Sequence, residues 1–180
     1  MSYRPFEIED IVSTINVLVD TREQPTKKYE RRVESFGYPF TRKALKFGDY
    51  SCEYTDLNEN IVDFSKKVSI ERKDSFNELC MNFTRERDRF INEFERAKEK
   101  NARIHVIVEN ETWERAFLGK YGQSARFRSK VKPQSLIASI LAWQARYDCI
   151  FHFCEEEYTG QLIGKILHYE LKERLLNEGL

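Results

Sequence analysis

The stretch IVDFSKKVSIERK, residues 61–73, is an apolar run that turns charged at its end. A partner for it lies just upstream in FTRKALKFGDYSCEY, residues 40–54. There apolar and polar residues alternate on either side of Gly48 and Asp49, as in a half-exposed strand with a glycine bend or bulge. Between the two, TDLNEN (55–60) is rich in turn formers and reverses the chain. Residues 40–73 therefore predict an antiparallel pair or meander.

Working outward, INVLVD (15–20) is a short β-branched run that reads as a buried strand delivering Asp20 at its carboxyl edge. Residues 26–35 are weakly helical, with Gly37 suited to a C-cap and Pro39 stopping further helix. Asp74 or Ser75 can cap a helix carrying Phe76, Leu79, Cys80 and Phe83. Residues 84–100 place Phe90, Phe94 and Ala97 at helical spacing among charges. Then come a strand at 102–109, a helix at 133–147 opened by Pro133, a strand at 149–153, and a helix at 159–176 with Leu162, Ile163, Ile166 and Leu167 on one face. The order β, α, β meander, α, β, α, β, α predicts an α/β fold over residues 1–180 as a single domain, a mixed central β-sheet flanked by helices. Sites in such folds lie beyond the carboxyl ends of strands.

Composition narrows the partners. With 30 Lys plus Arg against 30 Asp plus Glu the formal net charge is zero, so a polyanionic partner has to be held by local patches. No window reaches the roughly 18 apolar residues of a membrane span, and MSYRPFEIEDIV lacks a signal-peptide core, so a soluble, cytoplasmic protein without a membrane partner is expected. Cys52, Cys80, Cys149 and Cys154 fit neither a zinc site nor a disulfide framework, and the scattered His105, His152 and His168 read as structural.

Three predicted strand ends carry acids: Asp20 in VDTRE, Asp49 in FGDY and Glu71 in IERK. Side chains alternate along a strand, so Glu71 and Lys73 share one face and Arg72 points to the other. Carboxylates converging from adjacent strands repel one another unless a cation lies between them, and oxygen ligands of this kind suit Mg²⁺ or Mn²⁺. A lysine beside them can position the attacking water and offset charge on a phosphate. Such an arrangement cleaves phosphodiesters. A surface ion pair is the plain alternative for Glu71 and Lys73, and a turn cap the plain alternative for Asp20.

GDY followed by IERK resembles the GDX(n)ERKX(3)D signature of the XPF/Mus-type structure-specific nuclease domain, a variant of the PD-(D/E)xK restriction-endonuclease-like fold. VLVDTRE, RERDRFINEFERA, RIHVIVE, SLIASILAWQARYDCIFHF and TGQLIGKILHYEL resemble further family segments, so the likeness covers roughly residues 15–170. The resemblance implies Asp49 and Glu71 as metal ligands and Lys73 as catalytic lysine. Around them it implies an active-site shell of Asp20, a further metal ligand, with Arg22, Glu23 and Arg72. The family's last aspartate is Asn77 here, with Asp74 and Glu78 nearby; Asn can still offer a carbonyl oxygen but brings no charge. The implied activity is metal-dependent cleavage of DNA, branched or duplex. The alternatives are a weak or inactive DNA-binding subunit of the same fold, and an unrelated α/β interaction domain. A chain ending at Leu180 without appended helix-hairpin-helix modules implies a stand-alone bacterial or phage type, and a homodimer through the nuclease domain stays open.

RAFLGKYGQSARFRSKVK (115–132) holds Arg115, Lys120, Arg126, Arg128, Lys130 and Lys132 with no acid among them, interleaved with Phe117, Tyr121 and Phe127. This composition predicts a phosphate-gripping loop beside the cleft; a solubilising loop is the plainer alternative. Most charges of the 84–100 helix read as solvated, with Arg85, Arg87 and Arg89 as the candidates for DNA contact.

Overall fold

The structure, a computed structural model, describes residues 3–119 and 130–177. Among these, seven strands form one sheet: β1 (Asn16–Val19), β2 (Phe40–Arg42), β3 (Tyr50–Thr55), β4 (Ile61–Asp63), β5 (Val68–Lys73), β6 (Arg103–Glu109) and β7 (Ile150–Cys154). Their order is β2-β1-β3-β5-β6-β7, with β4 also paired to β3. Only β3 runs against the rest: it is antiparallel to β1, β4 and β5, whereas β1 and β2 are parallel, as are β5, β6 and β7. The carboxyl ends of β1, β5 and β6 therefore meet the amino end of β3 at one edge. Asp20, Asp49, Glu71 and Glu109 all arrive there.

Helices cover both faces. α1 (Pro5–Ser13), α2 (Lys27–Glu34) and α7 (Thr159–Asn177) pack on one face, around a core that includes Val17, Val19, Tyr50, Val68, Ile70 and Ile107. α3 (Phe76–Phe83), α4 (Arg87–Glu99), α5 (Trp113–Leu118) and α6 (Pro133–Tyr147) pack on the other, around Phe83, Phe90, Phe94, Val106, Val108 and Trp143. The Phe90 and Trp143 rings stack at 5.7 Å, and Phe94 meets Phe90 edge-on at 4.8 Å. Such contacts add about 0.5–1.5 kcal/mol each beyond burial and fix α4 against α6. α7 approaches α2 closely at Gly160, where a Cβ would lie 2.2 Å from the Arg32 carbonyl oxygen.

The expected mixed sheet flanked by helices is present, with four local corrections. Residues 40–54 are not one bent strand. β2 lies outside β1 and β3 on its other side, because the Lys43 N–H bonds the Val19 carbonyl and the Leu45 N–H bonds the Asp20 carboxylate, carrying residues 43–49 around the end of β1. The returning strand is broken by a 3₁₀ turn at Phe64–Lys66, where the Asp63 carboxylate accepts the Ser65 N–H. The helix expected from residue 84 starts at Arg87, after a turn in which the Glu86 N–H bonds the Met81 carbonyl. α1 and α5 were not anticipated, so Arg115 lies on a helix and not in a loop. Thr112 caps α5, and Gly119 ends it in a left-handed conformation.

The cysteines are free thiols. His105 is packed between His152 and Glu170 at 2.9 Å each, near the β6 end remote from Glu109, and His168 meets the Tyr38 hydroxyl at 2.6 Å. No described helix is long and apolar enough to cross a membrane.

Candidate active site

Strand alternation divides the charged groups at the end of β5 between two environments. Glu71 is in register with Val106, so Glu71 and Lys73 face the α3–α6 layer; Arg72 is in register with Ile107 and faces the α2–α7 layer. Both side chains of the first pair are buried, at 6% and 3% exposure, instead of projecting into open solvent. The Lys73 Nζ lies 2.5 Å from Glu71 Oε1, 3.6 Å from Glu78 Oε1 at the start of α3, and 5.4 Å from the centre of the Phe90 ring on α4.

Asp49 is brought alongside by the turn before β3. Its N–H bonds the Ile70 carbonyl at 2.8 Å and its Oδ2 accepts the Arg72 N–H at 2.8 Å, so backbone bonds to β5 hold the residue at both points. Burial pushes the Asp49 carboxyl up to about 6 despite that bond from Arg72 and the attraction of Lys73. Burial, then the repulsion of Asp49, raises Glu71 well above the usual carboxylate range. Burial alone would lower Lys73, but Glu71 and Glu78 outweigh it and keep the ammonium charged. Its two carboxylate neighbours thus raise Lys73 instead of lowering it toward a proton acceptor.

Asp20 sits at the same edge but is fully engaged. Its Oδ1 takes the Arg22 N–H at 2.8 Å and the Arg22 Nε at 2.6 Å, while Oδ2 takes the Leu45 N–H at 2.7 Å. Burial would raise it, yet these bonds, led by the Arg22 side chain, hold its carboxyl below the usual range. Asp20 braces the loop between β2 and β3.

On the opposite face the arginine of IERK belongs to a buried ring of alternating charge. Arg72 Nη1 bonds Glu109 at 3.1 Å and its Nε lies 3.8 Å from Glu23; Arg32 of α2 bonds Glu23 at 3.1 Å and Glu109 at 3.4 Å. The Tyr50 hydroxyl also donates to Glu23. Glu23 and Arg72 are thus brought together as expected, but their side chains are turned away from Glu71 and Lys73. Two members were missed in the sequence. Glu109 ends a strand in an acid just as Asp49 and Glu71 adjoin strand termini, and that signal was available; Arg32, one of several charges on α2, gave none.

Asn77 is half-buried in the first turn of α3, beside Glu78. Among the basic candidates, Lys120, Arg126 and Arg128 lie outside the described residues. Lys130 and Lys132 are exposed before α6, whereas Arg115 is paired with Glu111 at 2.9 Å. Arg85 and Arg89 are exposed; Arg87 donates to the Phe83 carbonyl and lies 5.2 Å over the Trp143 ring, so it also serves packing.

Among the described residues, no three His, Cys, Asp or Glu side chains form a ready metal cage. The Asp49–Glu71 pair still fits a hard divalent cation on the chemistry of its donors: both carboxylates are raised by burial and Glu71 further by the repulsion of Asp49, which a cation would relieve. Mg²⁺ characteristically binds through one or two carboxylates, with water and substrate phosphate completing its shell.

Comparison with solved structures places the same fold in XPF from Aeropyrum pernix, at TM-score 0.57 and 22% identity over 86% of this chain and 61% of that one. XPF from the same organism in complex with DNA matches at TM-score 0.58 and 21% identity over 88% of this chain and 66% of that one. The chain thus spans under two thirds of the length of either relative. Among curated proteins none matches. The ERCC4 domain model matches residues 19–166, from the last residue of β1 into α7 and across Asp20, Asp49, Glu71 and Glu109. The signature at Gly48–Asp49 and Glu71–Lys73, the sheet that joins its halves and this match agree: the chain belongs to the ERCC4 domain family, that of the XPF nucleases.

Proposed function

We propose that this chain is a metal-dependent DNA endonuclease that hydrolyses phosphodiester bonds in branched or duplex DNA. The observation that carries the reading is the Asp49–Glu71–Lys73 group at the strand edge: a half-buried acid in the turn before β3, a buried acid on β5, and a buried lysine ammonium between Glu71 and Glu78. Bound at Asp49 and Glu71, Mg²⁺ or Mn²⁺ would supply Lewis-acid stabilisation of the scissile phosphate. The protein's own part is positional and electrostatic. Lys73, immobilised by two carboxylates, places a positive charge where negative charge develops on the phosphate. Asp20 and Arg22 hold the loop that aims Asp49, and the Glu23–Arg32–Glu109–Arg72 ring locks the end of β5 from behind.

The absent aspartate at position 77 argues for an inactive subunit, but Glu78, one residue further and one methylene longer, stands 3.6 Å from Lys73. An acid therefore still flanks the lysine, which favours activity. The basic segment 115–132 is the proposed phosphate contact through Lys120, Arg126, Arg128, Lys130 and Lys132, with Arg85 and Arg89 of the α4 region as further candidates; Arg115, held by Glu111, is the weakest member. The DNA complex of the Aeropyrum pernix relative is consistent with a DNA partner. Incubation of the chain with labelled flap, fork, nicked and plain duplex DNAs tests the reading. Cleavage is expected with Mg²⁺ or Mn²⁺ and none with EDTA. DNA left intact under every condition while binding persists would instead support the DNA-binding subunit.

A further inference from the structure

Helix α4 presents mostly solvated charges, and one of them does something different. Glu93 lies between Phe90 and Phe94, the two aromatic residues that bury α4, and its Oε1 accepts the Gly48 N–H at 2.7 Å. Gly48 precedes Asp49, and the geometry of this turn is demanding: Gly48 has φ +72°, and a Cβ there would fall 1.9 Å from Ser69 Oγ. Glycine is forced by both counts. The neighbouring polar groups are satisfied from the sheet. Ser69 Oγ donates to the Phe47 carbonyl, the Asp49 N–H donates to Ile70, and the Asp49 carbonyl accepts the Asp20 N–H. The Gly48 peptide has no strand partner. Its N–H is taken by Glu93, and its carbonyl lies 3.4 Å from the Arg22 guanidinium.

We propose that Glu93 is a positioning residue for metal binding and cleavage: by accepting the Gly48 N–H it fixes the glycine–aspartate turn and so aims the Asp49 carboxylate at Glu71. The argument rests on the nuclease reading above. A buried backbone N–H left without an acceptor is costly, so the Gly48 peptide keeps this orientation only while Glu93 accepts it. The same helix supplies Phe90 beneath Lys73, so α4 sets the height of both the lysine and the aspartate over the sheet. The requirement is for a hydrogen-bond acceptor and not for charge, since Glu93 adds to the repulsion felt by Glu71.

Glu93→Ala and Glu93→Gln separate these roles. Glu93→Ala is expected to weaken Mn²⁺ binding, read by calorimetry, and to lower kcat for DNA cleavage by about 10–100-fold with KM for DNA unchanged, the range found when groups supporting metal ligands are removed. Glu93→Gln keeps an acceptor oxygen at the same reach and is expected to restore most of both. Amide exchange at Gly48, followed by NMR, should be faster in Glu93→Ala and slow again in Glu93→Gln. If Glu93→Ala does not fold, Glu93→Asp takes its place, its carboxylate being one methylene too short for Gly48. A Gln variant as defective as Ala would overturn the proposal in favour of a charge role, and an Ala variant with wild-type Mn²⁺ affinity and kcat would overturn it outright. Wild-type protein that neither binds Mn²⁺ nor cuts DNA fails before any Glu93 variant is compared, and that failure belongs to the nuclease reading.

Discussion

Glu71→Gln is expected to lower DNA cleavage by at least about 100-fold while the chain stays folded. The substitution preserves shape and an acceptor for the Lys73 ammonium 2.5 Å away, but removes the charge that a divalent cation would need. Glutamine keeps a hydrogen bond to Lys73, and Glu78 at 3.6 Å still balances that buried ammonium, so stability should change far less than activity. Lys73→Met should match it in activity, since the methionine fills the space over Phe90 without a cation to meet the phosphate. Single-turnover rates with saturating DNA and Mg²⁺, alongside circular dichroism, read both effects. A folded Glu71→Gln that cuts at the wild-type rate would remove Glu71 from the site.

Glu109→Ala should act in the opposite way, through stability first. Glu109 is 1% exposed and bonds two guanidiniums, Arg32 at 3.4 Å and Arg72 at 3.1 Å. Removing it leaves the buried Arg32 and the half-buried Arg72 facing a single remaining carboxylate, Glu23. Breaking a buried ion pair from one side typically costs about 3–5 kcal/mol, far above the usual effect of an exposed charge. Urea unfolding should show a lower midpoint with an unchanged slope. Changing Arg72 to Met together with Glu109→Ala should recover part of the loss, because the stranded charge is removed too. A Glu109→Ala chain as stable as wild type would mean that water already screens the ring.

The contrast between these two residues explains what the sequence could and could not reveal. Strands β1, β5, β6 and β7 were legible as apolar runs, and the side-chain period of two correctly separated Glu71 and Lys73 from Arg72. The placement of Gly48 at a bend was legible too. Which strand lies beside which was not: residues 40–42 and 50–55 look like one alternating stretch, and only the bonds from Lys43 and Leu45 to the end of β1 send them to opposite sides of it. α1 was overlooked although Pro5 at its first turn and Ile8, Ile11 and Val12 at helical spacing announce it. Glu93 and Arg32 were unreadable for a different reason. Each sits on a helix rich in charge, and their distinct roles come from partners 45 and 77 residues away in sequence, Gly48 and Glu109.

The burial of Glu71 and Lys73 was also unforeseen, since charged residues at a strand end normally reach solvent. It sharpens the functional argument, because a buried carboxylate crowded by a second, half-buried one is the feature that calls for a cation. Calorimetric titration of the apo protein with Mn²⁺ near neutral pH therefore tests the central claim most directly, with Asp49→Asn measured in parallel. Saturable binding by wild type, weakened at least about tenfold in Asp49→Asn, is the predicted result. Wild-type protein that takes up no Mn²⁺, or an Asp49→Asn variant with unchanged affinity, would contradict it.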